Sequence, residues 1–420
     1  MKFMMMSEIN LTSMQDKFEV SHTQRLPMLW SDKLMNVYRI PLEYLYYNDL
    51  NDRIATYISK YNASNHTPIS DLPKEKRNDI IEEYIIDSDK DHFDKTKSSI
   101  ETLGQLEYWI VLSDWRVIDG NRRFTCLRNL RKKTWDQKFK YFNGVILDNV
   151  DEKEIKIIEL MIQQWKDEKV DYNPIEKLVW IYRDLIKGNT ITIEEYARYT
   201  WKDKGDIKKM IEKAEIMVDF LEYIWKPEKF FIAKELELDS PLTEISTLKK
   251  RIWNDPAKWA KARDTLYVLM YTNAKNDMNE DIKFTIRNFW NKILQDDKRF
   301  NEYFEKHKVI SKKIRQKISS QDSNKDDDDA VKFVREEIRW DPEISGEINT
   351  LVKNSLYEAK KEEIKMLPLD KIRELCIDLN NIDKTSISKL EWDTKKEFAE
   401  QLGIMQRIID NINKILNEND

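Results

Sequence analysis

The chain has 420 residues, 72 Lys and Arg against 77 Asp and Glu, and only 7 glycines where average usage gives about 29. The closest glycines, Gly104 and Gly120, are sixteen residues apart, so a Walker-A loop, a dinucleotide fingerprint and a glycine-rich kinase lid are excluded. The net charge of −5 rules out a uniformly basic nucleic-acid binder, and two cysteines, Cys126 and Cys376, rule out a disulfide scaffold or a cysteine-built zinc site.

The four histidines, His22, His66, His92 and His307, are scattered, which leaves carboxylates as the natural holders of any Mg2+. Residues 1–10 lack the apolar core of a signal peptide, and no run approaches 18 apolar residues. The expectation is a cytoplasmic protein with no membrane span.

Residues 1–34 lack periodicity and are expected to form an accessory arm. The alternation at 35–40 predicts a strand, with Pro41 opening a turn or helix. Helices are expected at 54–62 and 74–87, the second with Ile80, Ile81, Tyr84 and Ile85 on one face. A polar loop with Pro68 separates them. A short helix at 94–103 ends at Gly104, a residue suited to the left-handed helix terminus. Residues 106–112 and 116–118 read as a hairpin around Ser113-Asp114. The Asp119-Gly120-Asn121 break then leads into a helix at 121–133, and 139–147 reads as a further strand.

Beyond residue 150 the pattern is helical, at 151–166 and 174–187. Thr192 followed by Glu195 forms a capping box that opens a shorter helix. A turn at 202–205 and a helix at 206–225 complete a helix-turn-helix candidate, for which scaffold-only helices are the plain alternative. Aromatic-rich helices fill 226–318, an acidic linker spans 319–329, and a last helical unit covers 330–420. In that unit Phe398, Leu402, Met405, Ile409, Ile412 and Leu416 form a heptad seam, which either packs within its own domain or pairs two chains. The expected fold class is an α+β N-terminal part followed by a mostly α-helical remainder. The divisions are an arm at 1–34, an α+β part at 35–150, a helical part with the helix-turn-helix candidate at 151–225, helices at 226–318, the linker, and the C-terminal unit.

One segment departs from the background. Residues 121–140 hold Arg122, Arg123, Arg128, Arg131, Lys132, Lys133, Lys138 and Lys140 against Asp136 alone, with Phe124, Trp135 and Phe139 interleaved. Gly120 precedes them at a strand-to-helix junction. A helix N-terminus presents free amides and a positive dipole end, where arginines are unfavourable without an anion. The anion is either a bound phosphate, which paired arginines suit, or carboxylates of neighbouring acid-rich helices.

The run Arg116-Val-Ile-Asp-Gly-Asn-Arg-Arg-Phe-Thr-Cys-Leu-Arg-Asn-Leu130 resembles the signature of the ParB-like branch of the ParB/sulfiredoxin superfamily: a strand, Gly-x-Arg-Arg, then a basic helix. Gly120, Arg122 and Arg123 match, while Asn121 stands where partition proteins have Glu and Cys126 where they have Ala. Val37-Tyr-Arg-Ile-Pro-Leu, Asn51-Asp-Arg-Ile54, Ser99-Ile-Glu-Thr-Leu-Gly-Gln-Leu and Tyr172-Asn-Pro-Ile-Glu176 resemble other family elements in the right order, covering about residues 35–225. About forty residues, 55–94, replace a short connection in compact members.

The resemblance implies a nucleoside triphosphate, CTP in partition members, held by Arg122 and Arg123, with Gly120, Asn121 and Arg53 lining it. It implies DNA binding through Lys202, Lys204, Lys208 and Lys209, and a homodimeric clamp serving a plasmid, a mobile element or a defence locus. The counterpart of the family's Mg2+ ligands is Gln163-Gln164, a poorer pair than one with a carboxylate. Cys126 lies six residues past Gly120, so it reads as a packed residue and not as a sulfiredoxin-type thiol. An enzyme reading, as a metal-dependent nuclease or nucleotide hydrolase, would use Asp119, with Asp114 and Asp136 as other nearby acids. A third reading makes 226–420 the docking part of a nucleotide-sensing subunit for a protein partner.

Overall fold

The computed structural model describes residues 14, 16–28, 31–49, 51, 54–148, 150–166, 173–252, 254–274, 281–319, 328–339 and 341–417. Its N-terminal part is built from β1 (Val20–Met28), β2 (Ser31–Pro41), β3 (Tyr46–Tyr47), α1 (Ala55–Ser64), α2 (Lys74–Ser88), α3 (Lys90–Leu103), β4 (Trp109–Leu112), β5 (Arg116–Val117), α4 (Asn121–Thr134), β6 (Tyr141–Leu147) and α5 (Glu152–Lys166). The strands form one mixed sheet in the order β1-β2-β6-β4-β5-β3. Antiparallel pairs join β1 to β2, β2 to β6 and β4 to β5, while β4 runs parallel to β6 and β3 parallel to β5.

Period-two alternation sends neighbouring residues to opposite faces. Trp109 and Val111 join Phe142, Ile146, Phe124 and Leu127 in the core beneath α2, α3 and α4. Ile110 and Leu112 join Val37, Val145 and Ile158 of α5 on the other face. The expected α+β class with a helical remainder holds.

Local chemistry explains where boundaries shift. Residues 20–34, expected as an irregular arm, supply β1 and the start of β2. β1 is largely exposed along its described side chains, so it carries no alternation to read. β4 starts at Trp109 because the Gln105 side chain has taken the strand's pairing role: its amide donates to Asn143 O at 2.7 Å and accepts from Asn143 N at 2.9 Å. β6 starts at Tyr141 because Asp136 caps a short 3-10 turn over Gln137–Phe139.

The remainder is helical: α6 (Pro174–Ile181), α7 (Ile193–Thr200), α8 (Lys204–Tyr223), α9 (Phe230–Glu235), α10 (Asp239–Arg251), α11 (Pro256–Thr272), α12 (Ile282–Phe289), α13 (Asp297–Ser319), α14 (Asp328–Phe333), α15 (Pro342–Asn380), α16 (Lys384–Ser388) and α17 (Trp392–Asn417). α6, α12 and α14 each run on into a π-helical segment. α11 is buried around most of its girth, from Ala262 to Thr272, which marks it as the central helix of this layer. No helix among the described residues is long and apolar enough to cross a membrane.

The chain divides into two compact units, Met1–Leu356 and Tyr357–Asp420. The sequence placed its last division at 319–329, of which 320–327 lie outside the described residues. The units part later because Val331, Val334, Ile338, Ile344, Ile348 and Val352 are buried in the larger one.

Candidate phosphate-binding helix terminus

β5 ends at Val117, and the amides of Ile118 and Asp119 both donate to Ile110 O. The chain then turns through Gly120, whose φ of 93° and ψ of 15° lie in the left-handed region, and Phe124 N closes the first helical bond onto Gly120 O at 2.8 Å. A Cβ at Gly120 would stand 2.4 Å from Trp109 Cγ. The glycine is therefore required by the indole packed beneath it, not by open space for a ligand.

The N-cap of α4 is Gly120, which has no side chain to cap it, and the first turn holds no acid. Arg122 and Arg123 sit in that turn, against the positive dipole end. Asn121 is buried; among the described residues its Oδ1 has no hydrogen-bond partner, and neither has the buried Trp109 Nε1. Arg122 Nη2 meets Asp89 Oδ2 at 2.9 Å. Asp89 also caps α3, accepting from His92 N and lying 2.8 Å from His92 Nδ1. Burial acts upward on the Asp89 carboxyl, but the His92 hydrogen bonds and the Arg122 charge outweigh it and hold its pKa below the ordinary value. Arg123 lies over the Trp109 ring at 5.0 Å and reaches Glu107 at 3.2 Å near solvent.

Further along the helix, Arg128 and Lys132 are engaged internally. Arg128 Nε meets the buried Glu82 at 2.7 Å and its Nη2 meets Asp79 at 2.9 Å, with Lys132 on the same two acids. Carboxylates thus meet this helix along its length: Asp89 and Glu107 pair with Arg122 and Arg123 of the first turn, and Asp79 and Glu82 of α2 pair with its middle. Removing one member of a buried pair leaves the other uncompensated. Arg128→Ala is expected to cost about 2–3 kcal/mol, softened by Lys132, as read from the urea midpoint.

The expected catalytic acid, Asp119, is half-buried beside Tyr108, whose hydroxyl pKa is raised by burial and then by the Asp119 charge. Asp114 pairs with Arg116 at 2.8 Å and Asp136 caps its turn, so neither stands as a second carboxylate for catalysis. Among the described residues no three His, Cys, Asp or Glu side chains converge to hold a metal ion. Gln163 and Gln164 lie on α5, with their side chains outside the described ones; Arg53 lies outside altogether. Cys126 is fully buried with its thiol pushed by burial up to about 12, which fits a packed residue.

Sequence reasoning missed a buried polar chain on α5. Glu159 accepts from Asn48 Nδ2 at 2.8 Å, and Lys156 lies 3.5 Å from Glu159 and 3.0 Å from Asp184. Asn48 directly follows β3, whose Tyr47 pairs with Val117, so this chain runs from the sheet edge beside the Gly120 loop to the segment after α6. The signal was two charges, Lys156 and Glu159, inside the apolar stretch of Ile157, Ile158 and Leu160.

The helix-turn-helix candidate forms as two helices joined by a turn at 201–203. Thr192 and Glu195 make the capping box, and Asp203 caps α8. Lys204 pairs with Glu194 at 3.0 Å and Lys209 with Asp206 at 2.8 Å. Lys208 is exposed, and Lys202 is half-buried with its pKa lowered by burial. Trp201 between them is 80% exposed at a φ of 50°. No family model matches the chain, and neither does any curated protein.

Proposed function

We infer that residues 35–225 form a ParB-like module of a cytoplasmic homodimer that binds a nucleoside triphosphate, CTP by resemblance, and contacts DNA through α7 and α8. The observation that carries this reading is the uncapped N-terminus of α4, with two arginines in its first turn and the orphaned Asn121 Oδ1 beside them. Helix amides and guanidinium groups suit phosphate oxygens. A buried acceptor without a donor suits a hydroxyl or amino group, and a nucleotide offers both kinds of group. Trp201 and Lys208 would face the nucleic acid, with few phosphate contacts, so DNA affinity would fall with salt.

Arg122 already holds Asp89, so a phosphate must compete with that carboxylate. The reading therefore has two signed consequences. Asp89→Asn keeps a side chain able to cap α3 while removing the competing charge, and should enlarge the nucleotide-induced rise in melting temperature. Arg122→Ala should abolish it. At a ligand concentration of 100 times Kd the wild-type protein should gain about 2.7 kcal/mol. The check is a thermal-shift panel of the four ribonucleoside triphosphates, with and without Mg2+ and a DNA duplex. No shift with any of the four would sink the nucleotide reading.

A further inference from the structure

Beyond Lys132, the cations of the basic segment pair with no carboxylate among the described residues. α3 and α4 run side by side in one direction. Asp89 meets Arg122 near their starts, Phe93 meets Cys126 midway, and Lys97 meets Lys133 near the end of α4. Burial lowers the Lys97 pKa, and the contact and charge of Lys133 lower it further, against the pull of Asp94. Past the helix, Lys138 donates to Glu101 O at 3.0 Å, and Lys140 lies over the Tyr141 ring at 5.7 Å. Of the acids here, Asp94, Glu101 and Asp136, the last is engaged in capping the Gln137–Phe139 turn. The negative dipole ends of α4 and α3 suit Arg131, Lys133 and Lys138. They do not account for the ammonium groups of Lys97 and Lys133 standing together.

Trp135 ends α4 at a φ of 56° and a ψ of 13°, its amide donating to Arg131 O. Glycine is the usual residue in that conformation, and a bulky side chain there is an outlier. The indole is 75% exposed, so core packing does not select it, and the Arg131 guanidinium lies 5.9 Å from its ring centroid. We propose that the C-terminal end of α4 binds a single-stranded nucleic acid, with a base stacked on Trp135 and the adjoining phosphates held by Lys97, Lys133 and Lys138. The charges and the ring select this occupant together. A phosphodiester between Lys97 and Lys133 relieves the repulsion of two like charges. An unpaired base offers its face to an indole freely, whereas a duplex must first be unstacked at a cost. Protein interfaces are depleted in lysine, and a membrane anchor buries a wide apolar face, so one ring among cations fits neither.

This surface lies about 20 Å along α4 from the Gly120 turn and rests on neither the nucleotide reading nor the DNA contact assigned to α7 and α8. The test is fluorescence anisotropy of the full chain with labelled oligothymidylate, oligouridylate and a blunt duplex, at about 50 and 200 mM salt. Either single strand should bind more tightly than the duplex, and the preferred sugar identifies the strand. Trp135→Gly suits the positive φ, so the fold should hold while affinity for the single strand falls about tenfold or more. Trp135→Phe should restore most of that loss, because a phenyl ring still stacks. Lys133→Gln with Lys138→Gln should reduce the slope of log affinity against log salt by about 1.4. Equal or tighter duplex binding, an unchanged affinity in Trp135→Gly, or no binding at the lower salt would each overturn the proposal. Loss of the single strand in Trp201→Gly but not in Trp135→Gly would overturn it too, by assigning the strand to the α7–α8 turn. So would binding to vesicles of anionic lipid in place of the oligonucleotides. The nucleotide-induced rise in melting temperature should persist in Trp135→Gly, so failure here leaves the reading of the other end of α4 standing.

Discussion

Gly120→Ala is expected to lose about 3 kcal/mol of stability, among the largest effects of any single substitution in the N-terminal part. Two costs add. A left-handed φ of 93° strains an alanine by about 1–2 kcal/mol. Its Cβ would also press on the middle of the fully packed Trp109 indole, at 2.4 Å from Cγ, and overpacking costs about 1–3 kcal/mol. The indole has little room to yield, because Phe142 lies against it and Arg123 covers its ring. Urea denaturation should show a lowered midpoint at unchanged slope. Gly346→Ala is the contrasting control. It sits in α15 with nothing within 4 Å of a new Cβ, so it should be neutral or stabilise by up to about 1 kcal/mol. Equal effects at the two glycines would mean that Trp109 does not wall off the turn.

Asp264→Ala should cost about 3 kcal/mol in the helical layer, for a different reason. Its carboxylate accepts from Tyr223 Oη at 2.8 Å, lies 3.0 Å from His307 Nε2, accepts from Ser311 Oγ at 3.0 Å, and pairs with Arg315. His307 is fully buried between Tyr303 and Phe304, so it would lose its partner where water cannot replace it. The same site gives a pH dependence. Burial raises the Asp264 pKa, but the hydrogen bonds from His307 and Tyr223 and the Arg315 charge outweigh it and hold the carboxyl well below its usual range. A carboxyl with a depressed folded pKa adds stability that is complete above its unfolded value near pH 4 and fades as pH falls toward the folded one. Wild-type stability should therefore drop more steeply below about pH 4 than that of Asp264→Asn. Parallel acid limbs would show that the carboxylate is not the acceptor holding this cluster.

Features set by neighbours in sequence were legible. The Ser113-Asp114 turn, the helix end at Gly104 and the Thr192–Glu195 capping box each depend on a few adjacent residues, and each forms where expected, although Gly104, at a φ of 75° and a ψ of −168°, lies outside the left-handed helical conformation. Features set by distant partners were not. Arg122 finds Asp89 across 33 residues and Glu159 finds Asn48 across 111, so no local spacing announces either pair. The strand-to-helix junction at Gly120 was legible from its neighbours, whereas the packing reason for a glycine there is Trp109, eleven positions upstream. β1 escaped notice because a largely exposed edge hairpin needs no apolar alternation. The basic run looked like one patch in sequence, but the fold splits it, since α2 brings Asp79 and Glu82 only to its middle.

The exchange of Asp89 for a phosphate at the N-terminus of α4 is tested most directly by titration calorimetry with nucleoside triphosphate on three proteins. Affinity should rise in the order Arg122→Ala, wild type, Asp89→Asn, with steps of about tenfold or more, as expected for gain or loss of a charge-assisted contact. Equal affinities in all three, or binding weakened by Asp89→Asn in a protein whose melting temperature without ligand is unchanged, would contradict a phosphate site at this helix end.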